Sequence, residues 1–384
     1  MKVACLNKIS PFGLTRFTNG YELTEEVNDA DLILVRSFNM LEMELPKKLL
    51  AVARAGAGVN NIPLADLASK GIVVFNTPGA NANGVKELVI AGMLLAARDI
   101  VGGVNWVRDN KEDANLSKSV EKAKSAFGGT EIIGKKLGVI GLGAVGGKVA
   151  EAAICLGMSV LGYDPYLSPE NADKLPNEVE LTTELDRIYA TCDYITLHLP
   201  LLDSTRHMIA KDVFAIMKPG VVLLNFSRDQ LVNDDDLAIS IESGIVRSYV
   251  TDFPNPKTAN MNHVIAIPHL GASTEESEDN CAMMATDELM RYVEHGSIKN
   301  SVNFPALDPG RKQNKYRIQI LYKDSEEFLG SLTRALEGIV SLGNLINRAK
   351  NGYGVAVVDF DAETNEAAIE ISKKMKGVLR VRTL

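Results

Sequence analysis

Short apolar runs alternate with helical stretches from the start of the chain. Runs at 3–6, 32–35, 50–53 and 72–75 are separated by mixed segments of crossover length. This βα rhythm predicts parallel strands. The stretch 85–98 is apolar almost all round and predicts a long buried helix. The polar, lysine-rich stretch 108–124 predicts a helix at the surface or at a subunit contact. A second series follows, with strands at 137–140, 159–162, 194–197, 221–225, 249–251 and 264–267. Six parallel strands with crossover helices predict a doubly wound sheet. The helix at 276–295 has no sheet of its own left to follow, so it is expected to return to the first unit. Pro and Gly punctuate 304–314 as a linker. Beyond it come a strand at 316–322, a helix at 328–342, a strand pair at 343–349 and 353–360 turning at Asn351-Gly352, a helix at 363–375 and a strand at 378–383. That βαββαβ order is ferredoxin-like. The domains expected are 1–92 with 276–303, an inserted doubly wound domain at 93–275, the linker, and a small module at 315–384.

Composition changes this picture little. The 384 residues are 46% hydrophobic and 23% charged, as in ordinary globular proteins. Net charge is −8, from 41 Lys+Arg and 49 Asp+Glu, with no basic block, so nucleic acid is not expected as a partner. Cys5, Cys155, Cys192 and Cys281 show no C-x-x-C spacing and read as small core residues in a reducing compartment, with no metal site. The longest apolar run, near 88–97, is too short to span a bilayer, so no membrane association is expected. The first residues open a strand rather than a signal peptide, and the expected location is cytoplasmic.

Candidate chemistry starts at 137–146, where a strand runs into Gly141-Leu142-Gly143-Ala144-Val145-Gly146. This is G-x-G-x-x-G at a strand-to-helix turn. Asp164 follows at the end of the next strand, eighteen residues past Gly146. In that context the glycines serve the tight turn (Gly141), the close approach of a pyrophosphate (Gly143) and close helix–strand packing (Gly146). The free N–H groups of the helix, with Ala144 and Val145 in its first turn, would face the phosphates. Asp164 can accept from both ribose hydroxyls and would repel a 2′-phosphate, which points to NAD rather than NADP.

Three further clusters sit at strand ends, the edge where α/β sheets bind ligands. They are Thr196-Leu197-His198-Leu199-Pro200 with Thr205, Asn225-Phe226-Ser227-Arg228-Asp229, and Pro268-His269-Leu270-Gly271. Hydride transfer from a secondary alcohol needs a base for the hydroxyl proton and a cation for a neighbouring carboxylate. His269 suits the first role. Arg228 suits the second, through bidentate pairing. Either residue alone would read as a structural hydrogen-bonder or a solvated charge. Their joint appearance after a dinucleotide fingerprint favours chemistry.

These motifs, with Arg54-Ala55-Gly56-Ala57-Gly58-Val59-Asn60-Asn61 and Asn76-Thr77-Pro78, resemble the D-isomer-specific 2-hydroxyacid dehydrogenases, in family order over about 300 residues. The resemblance implies a Rossmann NAD-binding domain inserted into a flavodoxin-like substrate domain, an active site in the cleft between them, and a homodimer or homotetramer. It implies that His198, Pro200, Thr205, Asn225, Phe226, Ser227, Asp252 and Gly271 line the cofactor site with the glycine loop. It implies that Arg36, Ser37 and the 54–58 loop (Arg54, Ala55, Gly56, Ala57, Gly58) meet substrate with Arg228 and His269. Within the family, Arg36 and Arg54 match positions that resemble phosphate-contacting arginines, and the C-terminal module resembles an ACT domain. Together these imply oxidation of 3-phospho-D-glycerate to 3-phosphohydroxypyruvate, the first step of L-serine synthesis. Alternatives are a dehydrogenase or glyoxylate reductase for an unphosphorylated acid, and, more remotely, a non-catalytic NAD-sensing protein.

The chain also departs from the family pattern. Asp229 stands where relatives place Gly, and an acid there could pair with Arg228 or point away. Relatives carry a Glu before a Pro after the fifth strand, as partner of the histidine. Here the stretch is Thr251-Asp252-Phe253-Pro254-Asn255-Pro256. Either Asp252 replaces that partner, or Asp252 contacts the nicotinamide and His269 lacks a carboxylate. Its place at the strand end favours the second. In the C-terminal module, 321–330 lacks the His, Asn and Pro-Gly of serine-binding ACT loops, so feedback by L-serine is expected to be weak or absent.

Overall fold

The structure, a computed structural model, describes residues 1–384, the side chain of Glu170 apart. The chain forms two compact units, Met1–Asn81 with Glu275–Leu384, and Ala82–Thr274. The second is inserted in the sequence of the first.

The first unit carries β1 (Lys2–Cys5), β2 (Glu22–Thr24), β3 (Leu32–Val35), β4 (Ala51–Arg54) and β5 (Val73–Phe75). They form one parallel sheet in the order β2-β1-β3-β4-β5. All four side chains of β3 are buried, because the sheet is covered on both faces. The helix Glu275–His295 covers one face, placing Cys281, Ala285, Leu289 and Tyr292 in a core with Leu32, Ala53 and Phe75. This is the return to the first unit that the sequence predicts.

The second unit holds β6 (Lys136–Ile140), β7 (Ser159–Tyr163), β8 (Val179–Leu181), β9 (Tyr194–Leu197), β10 (Val221–Asn225), β11 (Val246–Thr251) and β12 (Val264–Ala266). Their order is β12-β11-β10-β9-β6-β7-β8, all parallel. The order reverses between β9 and β6, which makes the C-terminal ends of those strands a topological switch point. The unit begins at the helix Ala82–Ala97, not at 93. Val85, Val89, Met93 and Ala97 of that helix share a core with Leu137, Val139, Leu224 and Val250. At Gly92 the helix approaches so closely that a Cβ would meet the Phe226 ring at 2.8 Å.

The C-terminal module adds β13 (Tyr316–Lys323), β14 (Ser341–Lys350), β15 (Tyr353–Asp361) and β16 (Val378–Thr383), an antiparallel sheet in the order β14-β15-β13-β16. Asn351 (φ 53°) and Gly352 (φ 81°) make the tight β14–β15 turn. The module packs against the rest of the first unit. Arg380 donates to the Leu49 carbonyl at 2.7 Å, and Arg382 sits 4.1 Å over the Tyr292 ring. The segment read as a linker is pinned, with Phe304 and Leu307 buried. The fully buried Arg317 pairs with Asp359 and donates to the carbonyls of His295 and Gly310 at 3.1 and 2.7 Å.

Three further sequence expectations change. β2 and β8, absent from the sequence reading, are three-residue edge strands with mostly exposed or half-exposed side chains, so they carry no apolar run. The helix expected over 328–342 ends at Leu336, because the chain turns at Gly338 (φ 73°), and β14 starts at Ser341. The helix expected over 108–124 is two, Ile100–Asp109 and Leu116–Ala123. The first ends at Asn110, whose Nδ2 donates to the Trp106 carbonyl at 2.8 Å, and Asp113 accepts from Asn115 N at 2.8 Å and Ser119 Oγ at 2.6 Å at the start of the second.

Candidate active site

The glycine loop leaves β6 and enters the helix Ala144–Cys155. Gly141 has φ 92°, and a Cβ there would lie 2.4 Å from the His198 carbonyl oxygen. At Gly146 a Cβ would lie 1.9 Å from the Gly141 carbonyl oxygen. Gly143, the N-cap, differs, since a Cβ there would meet nothing within 4 Å. Open space therefore faces the backbone at the helix N-terminus, where its N–H groups favour an anion. The Asp164 carboxylate accepts from Leu142 N and Tyr166 N, both at 2.9 Å, and so ties the end of β7 to the loop.

The next cluster is largely self-supporting. His198 Nε2 lies 3.0 Å from Thr196 Oγ1, and burial pulls the imidazole pKa down to about 3, so this histidine is neutral. Thr205 Oγ1 donates to the Pro200 carbonyl at 2.7 Å and accepts from Leu202 N at 2.8 Å, closing the 200–205 loop. At the end of β10, Asn225 Oδ1 accepts from Ser227 N at 3.2 Å, and its Nδ2 donates to the Arg228 carbonyl at 2.8 Å. Ser227 Oγ donates to the Leu197 carbonyl at 2.6 Å, and Phe226 is buried in the core. These residues hold the backbone on which Arg228 stands. Asp229 opens a short turn, Asp229–Leu231, and its charge bears on the buried Tyr249 hydroxyl. Tyr249 in turn accepts from Asn225 Nδ2 at 3.1 Å.

Asp252, just past β11, is 1% exposed. Its Oδ2 accepts from Gly271 N at 3.2 Å, and its Oδ1 has no partner among the described residues. Burial raises its pKa, against the lowering by the charges of His269 and Arg228. The three groups therefore share one electrostatic neighbourhood. Asp252 makes no hydrogen bond to His269 among the described residues, and His269 stands exposed. Asn255 Oδ1 accepts from Lys257 N at 2.9 Å and Thr258 N at 3.0 Å, and its Nδ2 donates to Asp234 at 2.8 Å, so it ties this loop to the helix Asp234–Glu242. The group that does face His269 is Phe253, with ring centroids 4.4 Å apart.

In the first unit, Asn7 Oδ1 accepts from the backbone N–H groups of Arg36, Ser37 and Phe38 at 3.1, 3.1 and 2.9 Å, which shapes the end of β3. Arg54 Nε donates to the Arg36 carbonyl at 3.0 Å. Gly56 beside it takes φ 151°, a backbone conformation that residues with a side chain rarely adopt. Its carbonyl accepts from Thr77 N at 3.1 Å, and the Ala57 carbonyl accepts from Asn76 Nδ2 at 2.6 Å, so the 54–58 loop is braced by the segment after β5. Arg36 Nη2 pairs with Glu278 Oε1 at 2.7 Å. The charges of Arg54, Arg36 and Glu278 all reach the buried Cys281 thiol. Sequence reasoning missed Glu278, Tyr249 and Phe253. None lies in a recognisable motif, and only position beside Asp252 marks Phe253.

A family model described as "D-isomer specific 2-hydroxyacid dehydrogenase, NAD binding domain" matches residues 90–271. The D-3-phosphoglycerate dehydrogenase of Methanocaldococcus jannaschii is 34% identical over 336 residues, covering 85% of this chain and 61% of that protein. The chain spans about three fifths of the length of several curated relatives it matches. The D-3-phosphoglycerate dehydrogenase of Haemophilus influenzae is 30% identical over 383 residues, covering 95% of this chain and 89% of that protein. A solved structure of NAD+-bound 3-phosphoglycerate dehydrogenase from Entamoeba histolytica superposes with a TM-score of 0.61 at 26% identity, covering 80% of this chain and 99% of that one. With the nucleotide fold, the strand-end cluster and a relative matched along almost its whole length, this chain belongs to the D-isomer specific 2-hydroxyacid dehydrogenase family.

Proposed function

We propose that the protein oxidises 3-phospho-D-glycerate to 3-phosphohydroxypyruvate with NAD, and reduces the oxo acid in the reverse direction. The observation that carries the chemistry is that Arg228 and His269, from the end of β10 and the loop after β12, both reach the Phe253 ring, at 5.5 and 4.4 Å, next to the buried Asp252. The residues present fit NAD. Gly143 fronts open space at a helix N-terminus, Asp164 closes β7, and Asp252 keeps one buried oxygen without a donor among the described residues. Gly141, Gly143, Gly146 and Asp164 would hold the pyrophosphate and ribose, and Asp252 the nicotinamide amide.

Bound NAD supplies the hydride acceptor. The chain's own residues do the rest. Arg228 pairs with the substrate carboxylate and stabilises the oxygen that becomes the carbonyl. His269 accepts the C2 hydroxyl proton as the hydride leaves C2, and it returns that proton when the oxo acid is reduced. Holding base, cation and reactant together supplies a large part of the acceleration, on the order of several kcal/mol. In this reading Arg36 and Arg54 bind the phosphate. Their support is that both stand at strand C-termini and that their charges meet at Cys281. The ion pair to Glu278 keeps Arg36 oriented before substrate arrives. The exposed row Ile100, Val101, Val104 and Val107 on one helix supports assembly as a homodimer.

The test is NADH oxidation with 3-phosphohydroxypyruvate against pyruvate, glyoxylate and 2-oxoglutarate. We expect kcat/KM to favour the phosphorylated acid at least a hundredfold, about 3 kcal/mol. Arg36→Ala and Arg54→Ala should erase that preference. Equal turnover of an unphosphorylated acid, or indifference to both substitutions, would overturn the phosphate assignment and leave the family chemistry standing.

A further inference from the structure

The base of this site has an aromatic ring beside it where a hydrogen-bonded carboxylate would be the usual support. Phe253 follows Asp252 directly, and its N–H donates to Thr251 Oγ1 at 3.0 Å, which fixes the turn out of β11. Its half-buried ring lies 4.4 Å from the His269 ring, centroid to centroid, with the planes 45° apart. On the Arg228 side, the guanidinium carbon is 5.5 Å from the same centroid. One side chain therefore touches both the base and the carboxylate-binding cation.

We propose that Phe253 is the positioning residue of this site. It orients the His269 ring and spaces it from Arg228, in the place of a hydrogen-bonded acid. The proposal rests on the dehydrogenase reading above. During oxidation the imidazole gains a proton and becomes a second cation close to Arg228. Two groups face that charge. The Asp252 carboxylate acts through space, its Oδ2 being held by Gly271 N. The π-system of Phe253 attracts cations. A tilted aromatic contact also limits ring rotation in an exposed histidine that has no hydrogen bond of its own among the described residues. Because the ring is rigid and contacts both groups, it also constrains where a substrate's C2 hydroxyl and carboxylate can fit together. Orientation of this kind acts on turnover rather than on cofactor affinity, since Phe253 is remote in role from the glycine loop and Asp164.

Phe253→Leu removes the ring and keeps most of the bulk, whereas Phe253→Tyr keeps the ring. The expected result is a kcat for oxo-acid reduction that falls roughly tenfold in the Leu variant, about 1.4 kcal/mol. Its affinity for NADH and its melting temperature should match wild type, and the Tyr variant should keep wild-type kcat. A second readout is the NMR resonance of the His269 ring proton Hε1, assigned by its loss in His269→Gln. Loss of the neighbouring ring current should move it in the Leu variant and leave it near its place in the Tyr variant. Wild-type kcat and an unmoved resonance in the Leu variant would overturn the proposal, as would a kcat loss matched by lost NADH affinity with the resonance unmoved. A wild-type protein inert toward every 2-oxo acid would sink the dehydrogenase reading as well. An active wild type with an indifferent Leu variant sinks this inference alone.

Discussion

Gly143→Ala and Gly146→Ala are one methyl group each, three residues apart in one loop, and should fail in different ways. At Gly146 the added carbon would sit 1.9 Å from the Gly141 carbonyl oxygen. That neighbour is backbone and is fixed by Gly141 N donating to the Tyr163 carbonyl at 2.8 Å. To reach van der Waals contact, the helix Ala144–Cys155 must move away from β6 by about an ångström. Its buried residues Val149, Ala150 and Ala153 would move with it. Overpacking of this kind costs roughly 1–3 kcal/mol or more. At Gly143 the backbone (φ −69°, ψ −158°) suits alanine and the methyl meets nothing within 4 Å. Stability should fall by only a few tenths of a kcal/mol to about one, as for an altered N-cap. The space the methyl fills is the space assigned to the pyrophosphate, so NADH affinity should drop tenfold or more, roughly 1.4 kcal/mol. Urea unfolding measures the first effect, and fluorescence titration of NADH measures the second. Wild-type NADH affinity in a folded Gly143→Ala protein would refute the placement of the dinucleotide on this loop.

Two further predictions concern the first unit. Burial pushes the Glu288 carboxyl up from its ordinary value near 4.5 to about 8, and its Oε2 has no partner among the described residues. The folded protein thus keeps a proton that the unfolded chain releases, so stability is full below about pH 4.5 and is lost as pH rises toward 8. Glu288→Gln should flatten that slope in urea unfolding followed across this range, and parallel slopes in the two proteins would refute it. Asp359→Asn leaves the buried Arg317 guanidinium without its counter-charge and should cost about 3–5 kcal/mol of unfolding free energy. A loss well under 1 kcal/mol would mean that the carbonyls of His295 and Gly310 suffice to hold Arg317 in place.

The parts of this fold that were legible in the sequence are those where one physical cause dominates. β3 and β10 are buried on both faces, so their apolar runs stand out against any flanking turn. Asn351-Gly352 is legible because few other pairs tolerate two successive left-handed residues. The misread elements have competing causes. Over 328–342 the apolar periodicity runs on through Val340 and Leu342, and only the left-handed Gly338 marks where the helix has stopped. The segment 304–314 has the composition of a free linker, yet Arg317, from β13, takes the Gly310 carbonyl into a buried network. Such capture depends on a side chain outside the segment, and local composition holds no trace of it.

The same distinction separates the legible and hidden halves of the site. Gly141, Gly146 and Asp164 act through their own backbone or through a contact one strand away, so spacing alone exposes them. Asp252 is legible as a strand-end acid, but its environment is not. What decides its role is that Gly271, nineteen residues on, donates to one oxygen, while the other has no donor among the described residues. Phe253 has no polar atom and no motif, and it follows a strand where an aromatic residue reads as core. Its importance comes from the two groups converging on its ring, one from the end of β10 and one from the loop after β12. A departure from a family pattern can therefore be read in sequence as a missing acid, whereas the group that fills the vacated role is set by tertiary packing. The change need not abolish catalysis. Charge arriving on His269 still meets a buried carboxylate field and a polarisable ring, and both are in place before substrate binds, which is the condition for stabilising charge without reorganisation.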